Sequence, residues 1–276
     1  MKLLIIQADN RQLYMSQYLE KNGFDVTVFT PNLLSGDNER NFDGATFALP
    51  TVKNSRINCE YDVSCENILP LIKKDGVVFS AMADEAFLEK IYDAELKHYD
   101  FYKREELIIL NASLTAQAVL ELVLINSNVS LSDLKILVTG YGKTGEAIAD
   151  ILLANKVSVT VAARKIKDRT RAEIKNIRAV SFNEIKNYSD EFDFVINTVP
   201  ETVIGKNLLS TFSENCIFFE VASKPYGIDI GEAEKQNKKI IIASSLPGKY
   251  VARSAGEVIA KTIINMIKEE NADGKN

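Results

Sequence analysis

The run Leu134-Lys-Ile-Leu-Val-Thr-Gly140-Tyr-Gly142-Lys-Thr-Gly145-Glu-Ala-Ile-Ala149 constrains this chain more than any other stretch. A short apolar segment of β type feeds a glycine-rich turn that opens an amphipathic helix, the context in which a Gly-x-Gly-x-x-Gly spacing carries meaning. The first glycine serves the tight turn, Gly142 leaves room for a pyrophosphate against backbone amides, and Gly145 lets helix and strand pack closely. The helix N-terminus adds partial positive charge toward the phosphates. A glycine-rich turn that binds nothing is the competing reading, and the complete strand-turn-helix context weighs against it. Gly140, Tyr141, Gly142, Lys143, Thr144 and Gly145 are therefore the pyrophosphate-binding candidates.

The rest of the chain supplies a suitable host. Apolar runs rich in Val, Ile and Phe alternate with amphipathic stretches, the pattern of βαβ units and a mostly parallel sheet. In the first half the pattern predicts strands at Lys2–Gln7, Asp25–Thr30, Ala45–Leu49, Gly76–Ala81 and Leu107–Leu110. Helices are expected over Arg11–Asn22, with Gly23 at the left-handed closing position, and over Asp62–Lys74 and Asp84–Tyr92. A longer helix, Asn111–Asn126, is apolar around most of its circumference and is expected to be buried between layers or domains. Strands at Lys135–Thr139, Val157–Ala162, Ala179–Phe182, Phe192–Asn197, Cys216–Val221 and Lys239–Ala243 make a second sheet, followed by a helix at Val251–Lys268 and a frayed tail at Glu269–Asn276.

With 276 residues, 46% of them hydrophobic, there is material for one or two α/β domains. A net charge of -5 argues against a general nucleic-acid surface, since phosphate neutralisation needs clustered Lys and Arg. Cys59, Cys65 and Cys216 show no CxxC pairing and read as structural thiols, so no metal site is expected. The lone histidine, His98, reads as a surface helix residue and leaves no Ser-His-Asp or Cys-His nucleophile. The apolar start Met1–Ile6 stops at Gln7, far short of a signal peptide, and no stretch is expected to reach transmembrane length; the expected location is cytoplasmic, with no membrane contact.

Ligands of open α/β sheets bind beyond the carboxyl ends of the strands. After the strand at Val157–Ala162 comes Ala163-Arg164-Lys165, where NAD folds usually carry an acid; the cations favour NADP through a 2′-phosphate, against the reading of solvated loop residues. Asn197-Thr198-Val199-Pro200 is expected to flank the cofactor. Pro200, Pro225 and Pro247 follow three successive strands, and Lys224, Lys249 and Arg253 bring positive charge to that rim, implying an anionic substrate. Arg11, Thr115, Lys224, Lys249 and Arg253 are the substrate-site candidates, with Lys224 for proton transfer and Arg11 or Arg253 for a carboxylate.

At these residues the chain resembles the dipicolinate synthase A-subunit family. The resemblance covers nearly the whole chain and rests on Asp9-Asn-Arg11-Gln12, Asn111-Ala-Ser-Leu-Thr115-Ala116, Gly140 to Gly145 with Ala163-Arg164, and Asn197-Thr198-Val199-Pro200. It continues through Ala222-Ser223-Lys224-Pro225, Leu246-Pro247-Gly248 and Ser254-Ala255-Gly256. It implies two Rossmann-like parallel-sheet domains with a cleft between them and the C-terminal helix returning to the first. The expected domains are an N-terminal Rossmann or flavodoxin-like unit at 1–110 joined by helix 251–268, and an NADP-binding unit at 111–250. The implied reaction is NADP-dependent oxidation of a dihydrodipicolinate-type dicarboxylate to dipicolinate, on a branch of the diaminopimelate route. It is implied to take place in the mother cell of a sporulating bacterium, with the B subunit of that enzyme for a partner and a homo-oligomeric assembly. Two positions depart from the family: the first strand ends Gln7-Ala8-Asp9 where the family has glycines, so that turn is not expected to bind phosphate, and Gln117 and the Lys224–Gly227 loop differ. Another small-anion dehydrogenase, or a noncatalytic NADP-binding regulatory subunit, is the alternative.

Overall fold

Successive side chains of a strand point to opposite faces, and the first strand shows what that builds. In β1 (Lys2–Ile5), Leu3 and Ile5 enter one apolar cluster, while Leu4 and the following Ile6 enter another on the opposite face. A sheet buried on both faces needs helices on both sides, which is the condition for parallel strands. The computed structural model describes residues 1–35 and 41–273, in two compact units: 1–111 with 247–276, and 112–246.

In the first unit, α1 (Asn10–Lys21), β2 (Asp25–Val28), β3 (Phe42–Thr46), the hairpin strands β4 (Val52–Lys53) and β5 (Arg56–Ile57), α2 (Cys65–Ile68), β6 (Ile72–Ser80), α3 (Glu85–Asp93) and β7 (Lys97–Asp100) precede the long α4 (Glu105–Asn126). Among the described residues β2-β1-β3-β6-β7 form one five-stranded parallel sheet. That order is the flavodoxin-like one, with its reversal between β1 and β3.

The second unit runs β8 (Lys135–Thr139), α5 (Lys143–Ala154), β9 (Ser158–Ala162), α6 (Ile166–Ile174), β10 (Arg178–Val180), β11 (Phe194–Asn197), α7 (Lys206–Leu209), β12 (Ile217–Glu220), α8 (Ile230–Lys235) and β13 (Lys239–Ile242). The sheet order β10-β9-β8-β11-β12-β13, all parallel, is that of a dinucleotide-binding Rossmann fold, with its reversal between β8 and β11. The chain ends with α9 (Leu246–Tyr250) and α10 (Ala252–Asp273), and α10 completes the first unit by adding Ile259, Ile263 and Ile267 to the cluster of Leu3, Ile5, Met15 and Leu19.

Several expectations need correction. Leu107–Leu110 is not a strand but the first part of α4, whose start carries Glu105 and Glu106, acids suited to a helix N-terminus. Joined in this way, α4 becomes the one helix among the described residues long and apolar enough to cross a membrane, contrary to the expectation that none would be; 44% of its most apolar stretch is buried within the protein. The helix expected over Asp62–Lys74 shrinks to α2 plus one 3-10 turn, because Ile72 already pairs with Phe42 in the sheet. His98 lies on strand β7, not on a surface helix, and its Nε2 sits 2.7 Å from Ser80 Oγ. Ser80 is fully buried while His98 is only half-buried on the edge strand, and that burial depresses the imidazole's basicity. α10 runs to Asp273, past the expected end at Lys268; residues 274–276 of the expected frayed tail lie outside the described residues.

Candidate functional site

The glycine turn lies at the reversal point of the second sheet. Gly140 closes β8 with φ +90°, a left-handed conformation that L side chains rarely adopt. Added bulk there would also stand 2.5 Å from Thr198 Oγ1 and 2.9 Å from the Val199 side chain. Gly145 packs against the carbonyl of Gly140 with no room for a Cβ. Nothing lies within 4 Å of where a Cβ on Gly142 would project. Gly142 is also the N-cap of α5 and brings no side-chain oxygen to its first turn. Open space beside a helix start that no side chain caps is what a pyrophosphate requires, and the turn fits a dinucleotide on that ground. Tyr141 is buried, its ring turned inward with the Arg171 guanidinium 5.5 Å from its centroid, so its side chain does not face the open turn. Burial raises its phenol's pKa. Lys143 is exposed and Thr144 half-buried on the first turn.

The corresponding turn of the first unit is closed. Asp9 caps α1, accepting from the backbone N–H of Arg11 at 2.9 Å, and Gln12 Oε1 accepts from the N–H groups of Ala8 and Asp9 at 3.1 and 2.9 Å. The Arg11 guanidinium already holds a carboxylate, that of Asp9, through Nε and Nη2, and Nη2 also donates to the Leu49 carbonyl at 2.7 Å. Gly248 lies against its face. Arg11 is buried, and the carboxylate it holds in this structure is that of Asp9. Burial opposes ionisation of Asp9, but the adjoining guanidinium prevails and holds the carboxyl below its ordinary range.

On the far side of the glycine turn, Arg164 and Lys165 are exposed at the end of β9, where Ala163 is buried. Arg169 fixes this strand end by donating from Nη1 to the carbonyls of Ala163 and Arg164 at 2.9 and 3.0 Å. Arg164 reaches Glu201 at 2.8 Å. Since β9 and β11 flank β8, this ion pair joins segments that follow the two neighbours of the glycine-bearing strand.

At the end of β11 the expected cofactor-flanking segment divides by role. Asn197 is fully buried, and its side chain is consumed internally: Oδ1 accepts from Thr139 Oγ1 at 2.6 Å and from the Val199 N–H at 3.1 Å, while Nδ2 donates to the Val199 carbonyl and to Glu220. Thr198 and Val199 back Gly140, and Pro200 is exposed. Glu220, which sequence reasoning misses, ends β12 fully buried. Burial pushes its carboxyl up, opposed by hydrogen bonds from Asn197, Ile228, Gly227 and Ala222. The one available signal is an acid closing the apolar strand Ile217-Phe-Phe-Glu220.

The remaining candidates separate by unit. Lys224 is exposed on the loop after β12, before the cis bond to Pro225, and Thr115 is buried in α4. Lys249 and Arg253 belong to the first unit, where both are exposed and Arg253 Nε donates to Glu257 at 2.9 Å. Of the thiols, Cys65 and Cys216 are pushed up by burial to about 11 and about 12, consistent with structural roles.

Known proteins resemble this chain in sequence and in fold. Residues 121–240 match the shikimate / quinate 5-dehydrogenase family. The chain is 28% identical over 198 residues to the dipicolinate synthase A subunit of Bacillus subtilis (strain 168), an alignment spanning 71% of this chain and 66% of that protein. It is 33% identical over 116 residues to the NADP(+) shikimate dehydrogenase of Staphylococcus aureus (strain bovine RF122 / ET3-1), spanning 40% of this chain and 43% of that one. The crystal structure of the dipicolinate synthase A chain from Bacillus subtilis has the same fold, with a TM-score of 0.86 at 21% identity over 99% of this chain and 97% of that chain. The chain is thus a homologue of the dipicolinate synthase A subunit, carrying a Rossmann domain of the shikimate dehydrogenase type.

Proposed function

We propose that this chain is the A subunit of a dipicolinate synthase, an NADP-dependent oxidoreductase that converts a dihydrodipicolinate-type dicarboxylate to dipicolinate during sporulation, in partnership with a B subunit. The observation that carries the reading is the open, uncapped glycine turn at the reversal point of the second sheet, with Arg164 and Lys165 at the next strand end. Gly140, Gly142, Lys143, Thr144, Gly145 and the Tyr141 backbone would hold the pyrophosphate, and Ala163, Arg164 and Lys165 the ribose phosphate. Thr198, Val199 and Pro200 would flank it, with Asn197 acting from behind them. Bound NADP supplies a hydride acceptor. The oxidation also releases a proton from the ring, and we assign its transfer to Lys224. Aromatisation provides driving force, so the chain's task is orientation and charge. Thr115 of the second unit, and separately Lys249 and Arg253 of the first, are assigned to the anionic substrate. The working location is the mother-cell cytoplasm, and the assembly homo-oligomeric.

The test mixes purified chain, B subunit, NADP and precursor and follows dipicolinate absorbance; no absorbance in the complete mixture sinks the proposal. The shikimate dehydrogenase match over residues 121–240 favours a second reading, a dehydrogenase of another small anion. A panel of hydroxy and cyclic carboxylates separates the two.

A further inference from the structure

A chain of buried polar contacts crosses the carboxyl ends of three adjacent strands in the second sheet. Thr139 ends β8 and immediately precedes the glycine turn; its hydroxyl donates to Asn197, which ends β11. Asn197 Nδ2 donates at 2.7 Å to Glu220 Oε1, at the end of β12. Glu220 Oε1 also accepts from the Ala222 N–H at 3.0 Å, and Oε2 accepts from the N–H groups of Gly227 and Ile228 at 3.0 and 2.9 Å. Thr139, Asn197 and Glu220 are each fully buried. The two Glu220 oxygens thus meet four donors from the chain, an arrangement only a carboxylate satisfies in full.

Each end of this chain of contacts serves a part of the candidate site. Asn197 fixes Val199 through both its N–H and its carbonyl, and Val199 with Thr198 forms the wall behind Gly140. At the other end, Glu220 ties down both sides of the loop 222–228. That loop carries Lys224, and Tyr226 sits in it at φ +71°, a conformation held by its surroundings. Gly227 comes so close to the Asn197 amide that no side chain fits between them. A lone buried carboxylate is costly to keep for stability alone, since an apolar residue of similar volume is often as good. Its use here is geometric.

We propose that Glu220 is a positioning residue that sets the nucleotide-side wall, Thr198 to Pro200, and the Lys224 loop in one fixed register. This deepens the function proposed above and rests on it for the identity of the ligands. The coupling itself is measurable without them.

The experiment is site-resolved amide hydrogen exchange on the full chain, with NADP titrations alongside, for the wild type, Glu220→Gln and the double substitution of Asn197→Asp with Glu220→Gln. In Glu220→Gln the amide nitrogen must face either Asn197 and Ala222 or Gly227 and Ile228, donors in both cases. Exchange at Val199, Gly227 and Ile228 should then accelerate about tenfold or more, with the β8 and β11 amides still protected and NADP affinity reduced by a similar factor. In the double variant a carboxylate at position 197 accepts from the amide introduced at position 220, leaving its oxygen for Gly227 and Ile228, so protection should return at those two amides, a rescue that general destabilisation does not produce. Val199 should stay loose, because the carboxylate at position 197 can no longer donate to its carbonyl. The proposal is overturned if Gly227 and Ile228 loosen while Val199 and NADP affinity stay unchanged, if Glu220→Gln exchanges as the wild type does, or if the double variant protects Gly227 and Ile228 no better than the single one. A wild type that binds no NADP defeats the functional reading instead, and Val199 exchange still decides the coupling.

Discussion

Removing the Arg164 side chain should weaken NADP and leave NAD almost untouched, and the structure gives the scale. Arg164 is paired with Glu201 at 2.8 Å, but the two side chains are 71% and 61% exposed, and a pair so solvated contributes about 0–1 kcal/mol. A 2′-phosphate offers a doubly charged, three-oxygen acceptor to the same guanidinium, and hydrogen bonds to charged groups are worth about 1.5–3 kcal/mol. Subtracting the lost Glu201 contact leaves about 0.5–3 kcal/mol in favour of NADP, a factor of roughly 2–150 in affinity. Arg164→Ala should therefore raise the Kd for NADP by that factor, read by fluorescence titration with NADPH or by calorimetry, and shift the Kd for NAD less than about twofold. Glu201→Gln removes the competitor without touching the clamp and should tighten NADP binding by about two- to fivefold, most clearly at low salt. Equal losses for NAD and NADP in Arg164→Ala would refute the argument, because the residue would then act on something both nucleotides share.

Gly140→Ala places a Cβ at φ +90° and against Thr198, which should cost about 1–3 kcal/mol in chemical denaturation together with most nucleotide affinity; an alanine variant as stable and as tightly binding as the wild type would contradict the turn geometry. Asp9 has its carboxyl pKa lowered in the folded protein, so the stability it contributes is present above the ordinary carboxylate value and is lost as pH falls through the lowered one, below about pH 4. Asp9→Asn should flatten that acid limb of the stability-pH curve and cost about 1–3 kcal/mol at pH 7, less than a fully buried pair because the Asp9 side chain is 38% exposed. Lys224→Met should lower kcat in the complete A plus B assay by at least about tenfold while the NADP Kd holds, and an unchanged pH-rate profile would remove Lys224 from proton transfer.

Much of the second unit is legible because its strands are short apolar runs closed by turns. The pattern places Lys135–Thr139 residue for residue, and it places the strands ending at Ala162 and Asn197 at their carboxyl ends, where ligands bind. The first unit hides more. Leu107-Ile-Ile-Leu110 has strand composition, and a four-residue apolar run does not reveal its period; the acids Glu105 and Glu106 are the helix signal to follow. Strand β7, Lys97-His-Tyr-Asp100, is polar because it lies at the sheet edge, where one neighbour is missing and burial is incomplete. In the candidate site, glycine spacing speaks for itself, since it reports a backbone requirement local to six residues. Glu201 and Glu220 do not, because their roles come from tertiary partners, Arg164 at 37 positions and Asn197 at 23 positions away.

The two sheets each present a strand, a turn and a helix at their point of reversal, yet only one of these turns is open to a ligand. At the start of α1 the position a phosphate would take is filled by the chain's own Asp9, gripped by the Arg11 backbone and guanidinium. Asp9 is in effect a tethered anion, and a nucleotide free in solution cannot match its local concentration. A chain that displays the doubly wound architecture twice should therefore bind one dinucleotide per polypeptide, with the first unit left to serve other ligands.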